Sequence, residues 1–186
     1  IVWFRNDLRL HDNEALYRAC EDFESVIPVY FFDPREYSES RYGMPKTGAI
    51  RAQFINESVH NLRKNIRERG GRLIVRYQTP EVGLSELSEK YSADAILTHK
   101  EAAPDEISVE QKLQNNIEIP LKLYWGSTLY HIDDLPFKPD DVPSVYSQFR
   151  KPVEKKSTVR SLFPTPKKIS IPTVDNPGDI PSPDEL

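Results

Sequence analysis

Ile1-Val2-Trp3-Phe4-Arg5-Asn6-Asp7-Leu8-Arg9-Leu10-His11-Asp12 is the stretch that decides how the chain folds. The continuous apolar run Ile1 to Phe4 stops abruptly at Arg5, the pattern of a strand covered on both faces. A polar loop follows, and Asp12 then offers an N-cap for a helix whose inner face is Ala15, Leu16, Ala19 and Cys20. A buried strand has led through a polar loop into a helix, which is the first half of a β–α–β unit.

The same grammar repeats along the chain. Val26 to Phe32 reads as a second strand, with Pro28 tolerated near its start and Asp33-Pro34-Arg35 ending it. After a polar loop reaching Lys46, the longest helix opens behind Thr47, a candidate N-cap. It carries Ile50, Phe54, Ile55, Val59, Leu62 and Ile66 on one stripe and stops at Gly70-Gly71. Arg72 to Tyr77 is the third strand. Thr79-Pro80-Glu81 then starts a helix in which Pro loses no needed hydrogen bond and Glu complements the dipole; Leu84, Leu87 and Tyr91 form its inner face. Ala95 to His99 is the fourth strand, Pro104 opens a helix bearing Ile107, Val109 and Leu113, and Leu121 to Trp125 is the fifth strand. Strands alternating with helices imply right-handed crossovers and a parallel sheet covered on both faces. The expected fold is therefore α/β, three-layer and doubly wound (Rossmann-like), on a five-stranded parallel sheet.

Periodicity disappears after Gly126. Residues 128–186 are rich in Pro, Asp, Ser and Lys, and ten of the 16 prolines lie at or after Pro136. A structureless stretch of that length is unusual inside a compact domain. This divides the chain into an α/β domain over 1–127 and a Pro-rich connector over 128–186, either lying over a neighbouring domain or disordered. Since the first residue already belongs to an apolar run, both ends look cut from something longer.

Composition narrows the function classes. At 186 residues one domain is expected. With 25 Lys+Arg against 29 Asp+Glu, the net charge of -4 offers no global basic footprint of a stand-alone nucleic-acid binder. No apolar run approaches the roughly 18 residues that a membrane-spanning helix requires, so no membrane is expected. Cys20, the single cysteine, can form no internal disulfide and no multi-Cys zinc site, and reads as a buried helix residue. It points to a reducing compartment or to indifference about redox, which suits an intracellular protein of cytoplasm, nucleus or plastid.

In open parallel sheets ligands bind beyond the carboxyl ends of the strands, near the point where strand order reverses. That rule selects the loops at residues 5–9, 33–35, 78–79, 100–101 and 126–127. No G-x-G-x-x-G and no P-loop occurs, which removes the usual dinucleotide and triphosphate cradles. G-x-S-x-G is absent, and His11, His60, His99 and His131 lack metal-ligand spacing. No catalytic residue and no metal ligand is expected. Arg5 and Arg9 bracket Asp7, so Arg–Asp pairing gives Asp7 a structural role, while a left-over guanidinium meets an anion or stacks on a flat ring. Glu101, directly after a buried strand, stands where a carboxylate accepts two hydrogen bonds from an amidine-like edge such as that of a pterin. A carboxylate simply favouring the N-terminus of the helix opened by Pro104 is equally compatible.

These residues carry a further signal. Trp3-Phe4-Arg5-Asn6-Asp7-Leu8-Arg9-Leu10-His11-Asp12-Asn13 resembles the opening strand and loop of the photolyase/cryptochrome N-terminal domain, whose pattern is W-[FH]-R-x-D-L-R-x-x-D-N. The resemblance continues through Pro28-Val29-Tyr30 with Asp33-Pro34-Arg35, and through Lys46-Thr47-Gly48 with Arg51. Trp125-Gly126-Ser127-Thr128, Asp134-Leu135-Pro136-Phe137, and Gln148-Phe149-Arg150-Lys151 with Val153-Glu154 resemble the DASH-type cryptochrome branch. It covers most of residues 1–154.

The resemblance implies a monomeric domain that packs against its own C-terminal helical FAD-binding domain and holds a light-harvesting antenna, typically 5,10-methenyltetrahydrofolate. It assigns the folate contact to Glu101, with Lys100 beside it. It assigns Arg9, Asp33, Arg35 and Arg51 as secondary candidates, matching the positions where other photolyases hold a deazaflavin. The family's helical domain, which binds FAD and grips damaged DNA, would lie beyond residue 186. The chain alone is then no enzyme, while the longer protein would be a deoxyribodipyrimidine photolyase or a cryptochrome photoreceptor. By this resemblance it would repair cyclobutane pyrimidine dimers in single-stranded DNA or signal light. The alternative expectation is a light-independent module that binds a nucleotide or a protein through the same strand-end crevice.

Overall fold

The computed structural model describes residues 1–186. Five strands, β1 (Val2–Phe4), β2 (Pro28–Phe32), β3 (Ile74–Tyr77), β4 (Ile96–His99) and β5 (Leu121–Tyr124), pair in parallel in the order β3-β2-β1-β4-β5. The fold is α/β and doubly wound as the alternation required. Strand order reverses at β1, which lies between β2 and β4, and the crevice for a ligand belongs beyond that strand's carboxyl end. Pro28 occupies the first position of an interior strand, where its missing N–H removes no ladder bond.

Each strand sends alternate side chains into different cores. Val2, Phe4, Tyr30, Phe32, Val75 and Leu97 face helices α1 (Glu14–Asp22) and α3 (Ala49–Arg67). Trp3, Val29, Phe31, Ile74 and Ile96 face α4 (Pro80–Lys90) and α5 (Pro104–Asn116). Two cores on opposite faces of one sheet are the physical content of the three-layer description.

Local differences from the sequence expectations have identifiable causes. Asn13, not Asp12, caps α1, its Oδ1 accepting from the Leu16 amide. Asp12 sits at φ 49° and accepts instead from the Phe163 amide. Gly48 is the N-cap of α3, while Thr47 Oγ1 is buried without a hydrogen-bond partner. The apolar stripe of α3 is interrupted as well: Ile50 is 88% and Phe54 69% exposed, whereas Ala52, Asn56, Val59, Leu62 and Ile66 are buried. At about 100° per residue Ile50 and Phe54 lie roughly opposite the face that carries Ala52, Val59, Leu62 and Ile66, so they point away from the sheet even though the first turn is itself packed through Ala52. Cys20 is half-buried.

Residues 128–186 are more ordered, and closer to home, than their composition suggests. They form short 3-10 turns at Ile132–Asp134 and Pro139–Asp141, then helix α6 (Tyr146–Lys156). From Phe163 onward the chain runs back over the α/β domain itself. The Ile169 amide donates to the Arg69 carbonyl, the Ser170 carbonyl accepts from Val26, and the Pro177 carbonyl accepts from Val75. Ile169 enters one core and Val174 the other. This strap covers the otherwise open edge strand β3, which removes a template for unwanted pairing. Gly178 is required where it turns, because at φ +77° an added Cβ would lie 2.1 Å from the Val75 carbonyl oxygen.

Candidate functional site

A cleft of about 340 Å³ opens beyond the carboxyl ends of β1 and β2, between the start of α3 and the first turns of α5. Its floor is aromatic and buried, from Trp3, Tyr30 and Phe31. Its rim is charged, with Asp33, Arg35, Lys46, Arg51 and Lys112. A floor of this kind suits the face of a flat ring and the rim suits polar substituents.

Most of the rim is fixed by internal pairing. Asp33 caps a short helix, α2 (Pro34–Tyr37), by accepting from the Arg35 amide. Arg35 Nε donates to both Asp33 carboxylate oxygens at 2.9 and 3.0 Å, and its Nη1 and Nη2 donate to Glu81 at 2.8 Å each. The hydrogen bonds to Asp33 hold the guanidinium above its ordinary pKa, against burial and with help from Glu81. Arg35 is therefore a strut between β2 and α4, already neutralised by two carboxylates. Arg51 has no hydrogen-bonding or ionic partner and faces the phenols of Tyr30 and Tyr37. Burial pushes Tyr37 up to about 12, so both hydroxyls stay neutral donors.

Behind the floor lies a second polar network. Arg5 stacks 4.5 Å over the Trp3 ring and pairs with Glu110 of α5; their side chains are 7% and 4% exposed. Asp7 accepts from the Arg5 amide at 3.0 Å, from Asn13 Nδ2 at 2.7 Å and from His99 Nδ1 at 2.7 Å. Burial alone would raise the Asp7 pKa, but the His99 hydrogen bond and charge, with the backbone amides, hold it below the usual carboxylate range. The expected structural role of Asp7 is met, though not through the flanking arginines. Arg5 reaches across to α5, and Arg9 donates to the His11 and Asp12 carbonyls at 3.0 Å.

The six residues singled out in the sequence separate into three groups. Asp33, Arg35 and Arg51 line the cleft. Glu101 lies one residue behind the rim: its Oε1 accepts from Asn6 Nδ2 at 3.0 Å, and Asn6 lines the cleft. Its backbone amide donates to Glu110 Oε1 at 3.1 Å, while its Oε2 has no partner in the fold. Lys100 is exposed beside it and Arg9 is outside, carried away by the loop that leads into α1. Sequence reasoning missed Lys46, Lys112 and Glu110. Only Glu110 had a signal: it stands three residues from both Ile107 and Leu113, on the inward face of α5, where a carboxylate requires a buried partner.

A doubly wound parallel sheet with an aromatic-floored cleft at its reversal point, and with buried charges paired internally, defines the class of the domain as α/β, three-layer and Rossmann-like. The DNA photolyase family profile matches residues 1–168, and the chain belongs to that family. It is 46% identical over 187 residues to the blue-light photoreceptor PHR2 of Arabidopsis thaliana, covering 98% of this chain and 42% of that protein. It is 42% identical to the chloroplastic/mitochondrial cryptochrome DASH of Solanum lycopersicum, covering 100% of this chain and 36% of that one. Among solved structures, a cryptochrome from Synechocystis superposes with a TM-score of 0.95 at 37% identity, covering 100% of this chain and 39% of that one. A photolyase from Sulfolobus tokodaii, described with two FAD molecules and the implication of a novel light-harvesting cofactor, superposes at 0.72 and 28% identity, covering 92% of this chain and 37% of that one. The chain thus spans about two fifths of the length of these relatives. No helix is long and apolar enough to cross a membrane.

Proposed function

We propose that this chain is the antenna-binding, light-harvesting domain of a DASH-like cryptochrome or photolyase, and that residues 128–186 connect it to a helical FAD-binding domain. The observation that carries this reading is the cleft at the strand-order reversal, with Trp3, Tyr30 and Phe31 beneath a polar rim. Such a slot binds and orients a flat chromophore and contains no activated nucleophile. Flavin photochemistry, repair of cyclobutane pyrimidine dimers in single-stranded DNA, and light signalling are assigned by this proposal to the longer protein.

The antenna is 5,10-methenyltetrahydrofolate, and Glu101 orients it. The unpartnered Glu101 Oε2 fits the amino-pyrimidine edge of a pterin, because that edge presents N–H donors to a carboxylate acceptor. Lys100, exposed next to it, suits the anionic tail of the folate. When bound, the folate supplies near-ultraviolet absorption, and the protein supplies orientation and exclusion of water.

A second position for the antenna is favoured by one observation: Arg51 is the arginine of the cleft without an internal partner, so a flavin-type ring seated deeper would meet it along with Asp33 and Arg35. Titration of the chain with 5,10-methenyltetrahydrofolate and with FAD, followed by chromophore fluorescence, separates the two. Folate binding that weakens about tenfold or more in Glu101→Gln and is unchanged in Arg51→Ala supports the folate reading. FAD binding lost in Arg51→Ala supports the deeper position. Binding of neither chromophore, by this chain or by a longer protein containing it, overturns the antenna role in favour of a light-independent binding module.

A further inference from the structure

The molecule has a second cleft, of about 640 Å³, at the opposite end of the sheet. It lies at the amino end of β3, between the last turns of α3 and the returning strap. Arg63 and Arg67 reach it from α3, Arg72 from the approach to β3, and Ile171 to Val174 form the strap wall. No Asp or Glu lines it.

The three guanidiniums are short of acceptors. Arg63 donates from Nη2 to the Gly178 carbonyl at 2.7 Å, but its Nε is buried with no acceptor. Arg72 donates from Nη1 to the Val174 carbonyl at 2.9 Å. The Arg67 side chain is exposed and makes neither a hydrogen bond nor an ion pair. Burial lowers the pKa of Arg63, with Asp179 acting in the other direction. The last turn of α3 adds a negative dipole end worth about half a charge, which offsets part of the positive field but not three guanidiniums.

We propose that this cleft binds the phosphate group of a small, nucleotide-sized ligand, with Arg67 and Arg72 as the accessible grips and Arg63 as the inner one. Planar guanidiniums match phosphate oxygens in pairs, and a dianion meets several of them better than a carboxylate does. The volume falls within the roughly 300–1,000 Å³ typical of small-ligand sites. The apolar wall from Ile171, Pro172 and Val174 provides a surface for the non-phosphate part of such a ligand. The site is independent of the antenna cleft and shares no residue with it.

Isothermal titration of the full chain at matched ionic strength, with inorganic pyrophosphate, ADP and adenosine as probes, tests the assignment. Pyrophosphate and ADP bind, adenosine does not, and Arg67→Ala weakens both anions about tenfold or more without moving the melting temperature. Arg63 also ties the strap, so Arg63→Lys is compared with Arg67→Ala, which disturbs no internal contact. The proposal is overturned if neither anion binds, if Arg67→Ala binds as tightly as the parent chain, or if adenosine binds as well as ADP. Displacement of pyrophosphate by a single-stranded oligonucleotide at lower phosphate concentration than by ADP likewise overturns it, in favour of a nucleic-acid surface.

Discussion

Both ends of the sheet are rich in arginine, and they treat it in opposite ways. At the carboxyl end Arg5 is tied to Glu110, and Arg35 to Asp33 and Glu81, leaving Arg51 as the unpaired guanidinium of that cleft. At the amino end Arg63, Arg67 and Arg72 have backbone carbonyls or nothing. Between Arg5 and Arg67 the difference follows depth. A guanidinium as buried as that of Arg5 loses its hydration and must be compensated by a carboxylate, whereas Arg67 remains in water and needs no internal partner. Charge in the first region thus stabilises the architecture around an aromatic floor; in the second it is left available.

The largest effect that can break this contrast is at Arg5. Arg5→Ala strands Glu110 in the interior and is expected to cost about 3–5 kcal/mol in chemical denaturation, while Arg67→Ala stays within about 0.5 kcal/mol. Equal costs at the two positions would show that the two ends are not electrostatically distinct. The strap that walls the amino-end cleft is tested next. Gly178→Ala forces a left-handed backbone and a collision with the Val75 carbonyl, with an expected cost of about 1–3 kcal/mol and faster hydrogen exchange at the Val75 amide. An unchanged exchange rate would mean that the strap does not protect the β3 edge.

Acid sharpens the comparison further. Asp7, behind the carboxyl-end cleft, has a folded pKa below its ordinary 3.8, so between the two values the unfolded chain binds more protons than the folded one. Its contribution to stability is full above the unfolded value and disappears as pH falls through the folded one. Denaturation midpoints measured from pH 6 down to about 2 are expected to fall more steeply for the parent chain than for Asp7→Asn, which lacks this titration. The smallest effect concerns the outward face of α3, near its start. Phe54→Ser is expected to change stability by no more than about 0.5 kcal/mol, against about 2–5 kcal/mol for Leu62→Ala on the same helix. A large loss at Phe54 would place that side chain in a core.

How legible these features were depended on the range of the interaction behind them. Trp3 inside an unbroken apolar run announced a two-sided strand, because burial on both faces disfavours polar residues, and shorter apolar runs located the other strands even where they include Arg76 in β3 or Lys122 in the half-buried β5. Asp33 and Arg35 were selected because strand ends are local in sequence, whereas Arg51, inside α3, was named only through the resemblance to the photolyase/cryptochrome domain. Glu101 was also found at a strand end, yet its place behind Asn6 depends on two loops 95 residues apart. Ile50 and Phe54 were misread because they were grouped on one stripe with Ile55, Val59, Leu62 and Ile66, although a turn of about 3.6 residues sets them roughly opposite that buried face. The strap was unreadable for a different reason: its hydrogen bonds are to distant backbone, and a Pro-rich segment that pairs with an edge strand has no periodicity to detect.

By itself the amino-acid sequence determined the strand–helix alternation, the parallel three-layer class and the set of charged strand-end loops, since each rests on local pattern and on the need to bury apolar faces. Only the tertiary structure decided which arginines are neutralised and which are free, because a guanidinium's partner is chosen by packing between elements far apart in the chain. Arg5 and Arg67 look alike in sequence; one is buried against a carboxylate from α5 and the other is left in a cleft without acids.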